Sequence, residues 1–238
     1  MPKMPQPPRN PPLVTPLAAM KLKPVLVDRS GRIVRLRTLQ PRDVTPEIAQ
    51  WLADPAIMEG LNAPRMAMGL DAFRTYAASF DNLRRSLIAV RDAADDAPLG
   101  LMFLEVDLRH KLGSVHIVMG EDRGRRLDVV YEAAQVLAWH FFTEREMEKL
   151  TFAPLARNRA AVAACRMGLL RQEGELKAHR IDGRTGERLD QLLFALTLDD
   201  FRQRTRAVSE APVYRGPGLP ASHVAKTMAA LGWKPAAG

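Results

Sequence analysis

The sequence of 238 residues contains one cysteine, few aromatic residues and no long hydrophobic run, and each shortage excludes a class of protein. Cys165 alone forms neither an internal disulfide nor a cysteine-rich metal site, which favours a reducing, cytoplasmic compartment. No apolar stretch approaches the ~20 residues of a membrane helix, and the first residues lack the apolar core of a signal peptide. Aromatic residues make up 6% of the chain and do not form the stacking ladder expected of a single-strand binder.

Motifs for several common chemistries are also missing. The five histidines show no metal-ligand spacing, so no metal site is expected. The sequence has no phosphate-binding P-loop, no Gly-x-Ser-x-Gly elbow and no dinucleotide-binding Gly-x-Gly-x-x-Gly. Metalloenzymes, nucleotide hydrolases and dinucleotide-dependent enzymes are therefore not expected.

The formal net charge of +8 belongs to the ends of the chain. Residues 1–30 carry a net +4 and residues 201–238 a net +5, which leaves −1 for the middle. Both ends are rich in proline, and the charge alone is a weak indication of nucleic-acid binding. We therefore predict a Pro-rich basic extension over residues 1–30, one domain over 31–201 and a basic extension over 202–238. Each extension is either a solubilising tail or a docking arm.

Hydrophobic periodicity predicts strands and helices that alternate through the second half of the domain. Asp43 is the expected cap of the first helix, and Pro55 is expected to end it. The expected fold is α+β, with a central mixed, mostly antiparallel sheet of about seven strands flanked by helices. Strands are predicted at 33–39, 86–91, 99–106, 114–119, 150–154, 169–181 and 188–196, and helices at 43–52, 69–80, 129–146 and 158–167.

From Leu36 to Leu198 this order and several local motifs resemble the GNAT acyltransferase superfamily. The resemblance is strongest to its ribosomal-protein alanine N-acetyltransferases and related small-amine acetyltransferases. It is carried by the segments 36–43, 51–55, 98–100, 132–133, 148–174 and 188–190. It implies an N-acyltransferase that uses acetyl-CoA as donor and a primary amine as acceptor.

The resemblance also implies where the donor binds. Acyl-CoA enters a gap between two diverging strands, and its pyrophosphate lies at the N-terminus of the long helix, where free N–H groups and the helix dipole favour an anion. The cofactor-binding residues implied in this way are the backbone of Ile117, Val118 and Met119, the loop residues Arg123, Gly124, Arg125 and Arg126, and Asn158, which is equally a cap for the helix that follows it.

The loop departs from the family pattern, because Arg126 and Asp128 occupy its two glycine positions. A carboxylate at Asp128 would compete for helix N–H groups and repel phosphates. In one interpretation the loop is rearranged, Gly124 serves the turn and the arginines replace the lost contacts. In the other, acyl-CoA binding is weakened or lost, and the protein is a non-catalytic binding or assembly protein on the same fold. Arginines of an ordinary solvated loop would also fit this pattern.

Acyl transfer to an amine needs a base for the ammonium proton and an acid for the leaving thiolate. Glu105 and His116 are the predicted catalytic residues, with Ser114 beside them, and imidazole exchanges protons near neutral pH. A structural histidine and an arginine-paired glutamate are the alternative interpretations. Many relatives place a tyrosine as acid seven residues after the asparagine, where this chain has Cys165. A buried thiol is expected there, so the acid has no candidate.

The sequence does not choose the acceptor amine. The helical segment 43–82 is expected to line the acceptor side of the site. The acceptor is a protein N-terminus, an amino sugar, a polyamine or an amino-bearing antibiotic. A membrane partner is not expected, nucleic acid is the least favoured partner, and a homodimer is compatible with the sequence.

Overall fold

The computed structural model describes residues 23–63, 68–120, 123–167 and 170–209. The predicted extensions cover residues 1–30 and 202–238, of which 1–22 and 210–238 lie outside the described residues, and the proposed domain boundaries stay predictions. The elements are β1 (Asp28–Ser30), β2 (Val34–Thr38), α1 (Pro46–Trp51), α2 (Pro55–Leu61), α3 (Leu70–Ala78), β3 (Arg85–Asp92), β4 (Pro98–Asp107), β5 (Leu112–Met119), α4 (Leu127–Trp139), β6 (Lys149–Phe152), α5 (Arg159–Met167), β7 (Arg171–Ile181), β8 (Arg188–Thr197) and α6 (Leu198–Ser209).

Eight strands form one sheet in the order β1-β2-β3-β4-β5-β6-β8-β7. Every neighbouring pair is antiparallel except β5 and β6, which run parallel. The predicted α+β fold with a mixed, mostly antiparallel sheet is confirmed. The strand beyond the expected seven is β1, which lies within residues 1–30, and α6 continues past residue 201.

Helices cover both faces of the sheet, so its central strands are buried on both sides. Alternate residues of β3 show this, because Ile88 packs in the cluster that includes α4 and α5, whereas Leu87 and Ala89 pack in the cluster that includes α1 to α3. The period of two along a strand sends successive side chains to opposite faces. The face of α1 to α3 is called the α2 face below, and the other is called the α4 face.

The helices between β2 and β3 differ from those predicted. Thr45, not Asp43, caps α1, since its hydroxyl accepts the N–H of Ile48 at 3.3 Å. Asp43 lies in a preceding 3₁₀ turn. Pro55, expected to end a helix, begins α2, with Asp54 as its cap. Proline suits the first helical position because its missing N–H would have no intrahelical partner there.

The long predicted helix is α4 followed by one π-helical turn at His140–Glu144. One face of it packs in the core, since Val129, Ala133, Val136 and Phe141 are all buried. None of the described helices has the length and apolar character needed to cross a membrane.

Candidate active site

The strands β5 and β6 diverge soon after they pair. Their register covers only residues 112–114 of β5 and 149–151 of β6, although β5 continues to Met119. On its other edge β5 stays paired with β4 throughout. The sheet therefore opens into a wedge beside the second half of β5.

The backbone of β5 presents hydrogen-bonding groups to this wedge. The N–H of Gly120 donates to the Leu99 carbonyl at 2.9 Å. In an antiparallel ladder every second residue bonds to the same neighbouring strand, so the even-numbered residues of β5 bond to β4. The odd-numbered residues face β6, as the carbonyl of Gly113 shows by accepting the Thr151 hydroxyl at 2.8 Å. Val115, Ile117 and Met119 consequently direct their backbone N–H and C=O groups into the wedge.

A cavity of about 850 Å³ occupies the wedge and passes through the sheet. Its part on the α4 face is lined by α4 and α5, largely by small and apolar residues such as Ala134, Ala161 and Ala164. Its part on the α2 face is lined by α2 and by the hairpin of β7 and β8. The two strands thus leave a passage that is open on both faces of the sheet, so that two ligands can meet in it from opposite sides.

The predicted arginines at the start of α4 have different partners. Arg125 is exposed and lines the cavity. Arg123 instead forms ion pairs with Asp92 at 2.6 Å and Asp95 at 2.9 Å, on the turn between β3 and β4. Gly124, in the loop that precedes α4, is buried. The structure thus places one of the three arginines at the cavity.

Arg126 and Asp128, the two departures from the family pattern, bind each other at 2.6 Å. Asp128 also accepts the N–H of Val129 at 3.0 Å, so its carboxylate occupies one helix donor, as expected. Among the described residues, the N–H groups of Leu127 and Asp128 have no acceptor. The guanidinium of Arg126 offsets the charge of the carboxylate, and two N–H groups stay available at the positive end of the helix.

His116 and Glu105 lie on the α2 face of neighbouring strands. His116 is exposed and lines the cavity, opposite Phe103 in the β4–β5 register. Glu105 is exposed, pairs with Ser114 and does not line the cavity. The two side chains are diagonal neighbours, about 7–8 Å apart at their Cα atoms. Geometry therefore favours His116 over Glu105 for direct contact with a ligand, and both stay predictions.

Asn158 and Cys165 line the cavity from α5. The predicted helix cap is confirmed, since Asn158 Oδ1 accepts the N–H of Ala161 at 3.1 Å. Its Nδ2 donates to the Gly60 carbonyl of α2 at 3.0 Å and so joins the two sides of the passage. Cys165 is buried, as predicted, and loss of solvent raises the pKa of its thiol to about 12.

The hairpin of β7 and β8 contributes lining residues that the sequence did not indicate. His179, Arg180, Arg188 and Gln191 all line the cavity. His179 lies in a bulge in which residues 177–179 of β7 oppose a single residue of β8, Asp190, and the other three lie close to this bulge in the register. Strand periodicity cannot reveal such a bulge, because it moves side chains off the alternation on which the prediction depends.

Residues 34–167, more than half of the chain, match the acetyltransferase (GNAT) domain family. No curated protein sequence gives a significant match. In the described parts of the chain, no cluster of three or more His, Cys, Asp or Glu side chains is arranged to hold a metal ion.

Solved structures share the fold over most of the chain. A probable GNAT-family acetyltransferase from Chromobacterium violaceum is 23% identical, with a TM-score of 0.64, and covers 83% of this chain and 100% of its own. Spermidine N-acetyltransferase from Vibrio cholerae, in complex with CoA and spermine, is 17% identical, with a TM-score of 0.63, over 71% of this chain and 98% of its own. Ribosomal-protein-S5-alanine acetyltransferase from Vibrio fischeri is 15% identical, with a TM-score of 0.61, over 74% and 98%.

Proposed function

The chain belongs to the GNAT acetyltransferase family and is an N-acetyltransferase whose donor is acetyl-CoA. From this premise we propose that the donor lies in the β5–β6 cavity and that the acceptor amine approaches from the α2 face. The observation that carries this assignment is the parallel pairing of β5 and β6, which stops after three residues and opens the passage. The match to an acetyltransferase family favours the enzyme over a non-catalytic binding or assembly protein.

The residues along the wedge suit an extended, amide-containing arm with an anionic end. The free edge of β5 offers N–H and C=O groups at Ile117 and Met119, to which an extended chain can bond as an added strand does. The N–H groups of Leu127 and Asp128, with the Arg125 guanidinium beside the cavity, suit a pyrophosphate. The small side chains of α5 leave room for the arm.

Acetyl-CoA supplies a thioester whose carbonyl carbon accepts the amine and whose thiolate leaves. His116 lies at the cavity on the acceptor side, and a ring nitrogen takes the proton of the incoming ammonium directly or through one water. Glu105, on the same face of the next strand, orients that water or receives the proton in turn. The free N–H groups of β5 donate hydrogen bonds where negative charge develops.

Cys165 does not supply the proton for the leaving thiolate. Its pKa of about 12 keeps it a thiol at neutral pH. Transfer of that proton to a thiolate of ordinary pKa, about 8.5, is uphill by ~5 kcal/mol. We therefore assign Cys165 a packing role and leave protonation of the thiolate to water.

Release of free thiol from acetyl-CoA in the presence of amines tests the catalytic assignment. His116→Ala lowers kcat by about 100-fold and leaves the KM for acetyl-CoA within about twofold, since the base acts on the acceptor rather than on donor binding. His110→Ala, in the exposed turn between β4 and β5, is the matched control and keeps wild-type rates. Wild-type kcat in His116→Ala would contradict the assignment, and a 100-fold loss in Glu105→Gln alone would transfer the role to Glu105.

Two broader properties also belong to this proposal. The single buried cysteine supports a reducing, cytoplasmic setting. Association as a homodimer stays a prediction, as does the absence of a nucleic-acid partner.

A further inference from the structure

The acceptor side of the passage is formed by α2 and the hairpin of β7 and β8, which hold each other in place. Asn62, at the end of α2, donates through Nδ2 to the Ile181 carbonyl at 2.8 Å and accepts the N–H of Gly183 at 3.3 Å. His116 projects to the same face. Residues of the hairpin that line the cavity therefore lie where the acceptor, rather than the donor, must bind.

The charged side chains that line this side of the cavity have one sign. Among the described residues that line the cavity, none is Asp or Glu, whereas Arg180 and Arg188 both line it from the hairpin, with His179 beside them. Nothing described in the cavity could pair with the extra ammonium groups of a polyamine.

Three carboxylates beside the hairpin are already paired, and Glu187, in its exposed turn, forms no ion pair with the described residues. Glu59 binds Arg184 at 3.2 Å, and Asp190 binds Lys177 at 3.0 Å. Asp182 is paired with Arg157. By contrast, neither Arg180 nor Arg188 has a carboxylate partner among the residues that the structure describes. The two guanidinium groups at the cavity are consequently not engaged in ion pairs with the described residues.

Neutral groups hold both guanidinium groups in place. Arg180 Nε donates to Gln191 Oε1 at 3.2 Å, and Gln191 is itself fixed by its Nε2, which donates to the Ala153 carbonyl at 2.7 Å. Arg188 donates to the Ala178 carbonyl at 3.4 Å. A guanidinium carries five N–H donors, so most donors of each group are left for a ligand.

The bulge that carries these residues is itself anchored. Ala178 has a φ of 49°, in the left-handed region that a residue with a Cβ rarely adopts, and its N–H donates to Asp190 at 2.8 Å. This bond, followed by the ammonium of Lys177, holds the pKa of Asp190 below its usual range. A backbone held out of the regular ladder beside a cavity is typical of a binding site.

We propose that the acceptor is a primary amine that also carries an anionic group, a carboxylate or a phosphate, and that Arg180 and Arg188 bind this anion while the amine faces His116. Guanidinium groups match both anions in geometry and charge. The proposal rests on the proposed function, because it assigns the acceptor of that reaction. A polyamine is excluded as the preferred acceptor.

The test compares matched amines by thiol release from acetyl-CoA. Glucosamine 6-phosphate is compared with glucosamine, 4-aminobutyrate with 4-aminobutanamide, and spermidine is the polycation. The kcat/KM for at least one anion-bearing amine exceeds that of its uncharged counterpart by about tenfold or more, the discrimination expected from a charge-assisted hydrogen bond, and spermidine is the poorest acceptor. Which pair shows the difference tells carboxylate from phosphate.

Variants assign the preference to the two arginines. In the double variant Arg180→Gln with Arg188→Gln, the KM for the anion-bearing amine rises about tenfold more than the KM for its uncharged counterpart, so the preference is lost. Arg184→Gln, in the same hairpin but paired with Glu59, is the control and keeps the preference. Equal use of both amines, a preference for spermidine, or the same loss in Arg184→Gln would overturn the proposal.

A binding measurement decides the matter without turnover. With the donor site saturated by CoA, inorganic phosphate raises the melting temperature of the wild type, and the double variant loses this shift. An unchanged shift in the double variant, or none in the wild type, overturns the proposal. Failure of acetyl-CoA to bind, or thiol release with no amine, would instead contradict the proposed function.

Discussion

Asp182 shows how one side chain secures the acceptor-side hairpin. Its carboxylate is buried and accepts the backbone N–H of Arg184 at 2.8 Å, the guanidinium of Arg157 and the N–H of Thr185 at 3.3 Å. The bond from Arg184, followed by that from Arg157, lowers the pKa of Asp182 to about 2. Arg157 directly precedes the cap of α5, so the ion pair joins the hairpin to the helix that lines the cavity.

This pKa predicts a specific loss of stability in acid. The folded-state pKa of about 2 lies below the value of about 3.9 in an unfolded chain, so the stabilisation is complete above about pH 4 and is lost as the pH falls through 2. Asp182→Asn removes this dependence, so its free energy of unfolding falls less steeply than that of the wild type between pH 4 and pH 2. Urea unfolding at a series of pH values measures the difference, with Asp199→Asn, 85% exposed, as control. Parallel curves for the wild type and Asp182→Asn would contradict the account.

Single residues were predictable where the interaction is local. Asn158 caps the helix that starts beside it, and the buried state of Cys165 follows from its place on that helix. The partners of Arg123 were not predictable, because Asp92 lies 31 residues away in the sequence and only the sheet brings the two together. The sequence gives the sign of the net charge of a loop, whereas the fold decides which of its arginines remain available for a ligand.

At the scale of elements, Glu132 joins α4 to the first hairpin of the sheet. It is 4% exposed and accepts three backbone N–H groups of the β1–β2 turn, from Arg32 at 2.8 Å, Ile33 at 2.7 Å and Val34 at 3.0 Å. A Cβ at Gly31 would lie 2.9 Å from its carboxyl carbon, so the turn needs glycine there. The Glu132-Ala133 motif that supported the family resemblance therefore has a structural role.

Loss of this carboxylate destabilises the fold. Glu132→Ala leaves the buried N–H of Val34 and the partly buried N–H groups of Arg32 and Ile33 without their acceptor, and we expect the free energy of unfolding to fall by about 2–4 kcal/mol in urea denaturation. Glu187→Gln, an exposed position in the β7–β8 turn, changes it by less than about 0.5 kcal/mol. A loss below about 1 kcal/mol in Glu132→Ala would mean that water replaces the carboxylate and that the turn is not held by α4.

Elements were predictable where one periodicity runs without interruption. The strands β3, β4 and β5 and the helices α3 and α5 are confirmed close to their predicted bounds. The prediction that Pro55 ends a helix was wrong, because proline is found both just after a helix and at the first position of the next one. Only the cap formed by Asp54 distinguishes the two cases. The π-helical turn after Trp139 keeps its buried residues on one side, so the apolar pattern does not reveal it.

At the scale of the whole molecule, the fold was within reach of the sequence through the family motifs, and so were the lining residues of β5 and α5, whose contact with the donor stays a proposal. The acceptor side was not, because it depends on contacts such as that of Asn62 with Ile181, 119 residues apart, and on the bulge at Ala178. The basic ends that dominate the net charge lie largely outside the described residues. The basic residues on which the proposals depend are those that line the passage.

The central claim is that acetyl-CoA binds in the gap between β5 and β6, and filling that gap tests it most directly. Ala164 lines the cavity, whereas Ala163, next to it on α5, is exposed and does not. Both changes to phenylalanine put the same side chain on the same helix, so a matched melting temperature shows that both variants fold.

The measurement is calorimetric titration of acetyl-CoA into the wild type, Ala164→Phe and Ala163→Phe. We predict one site in the wild type and in Ala163→Phe, with affinity reduced about tenfold or more in Ala164→Phe, because a buried phenyl ring excludes the ligand. Equal affinity in all three proteins, or no binding by the wild type, would contradict the account.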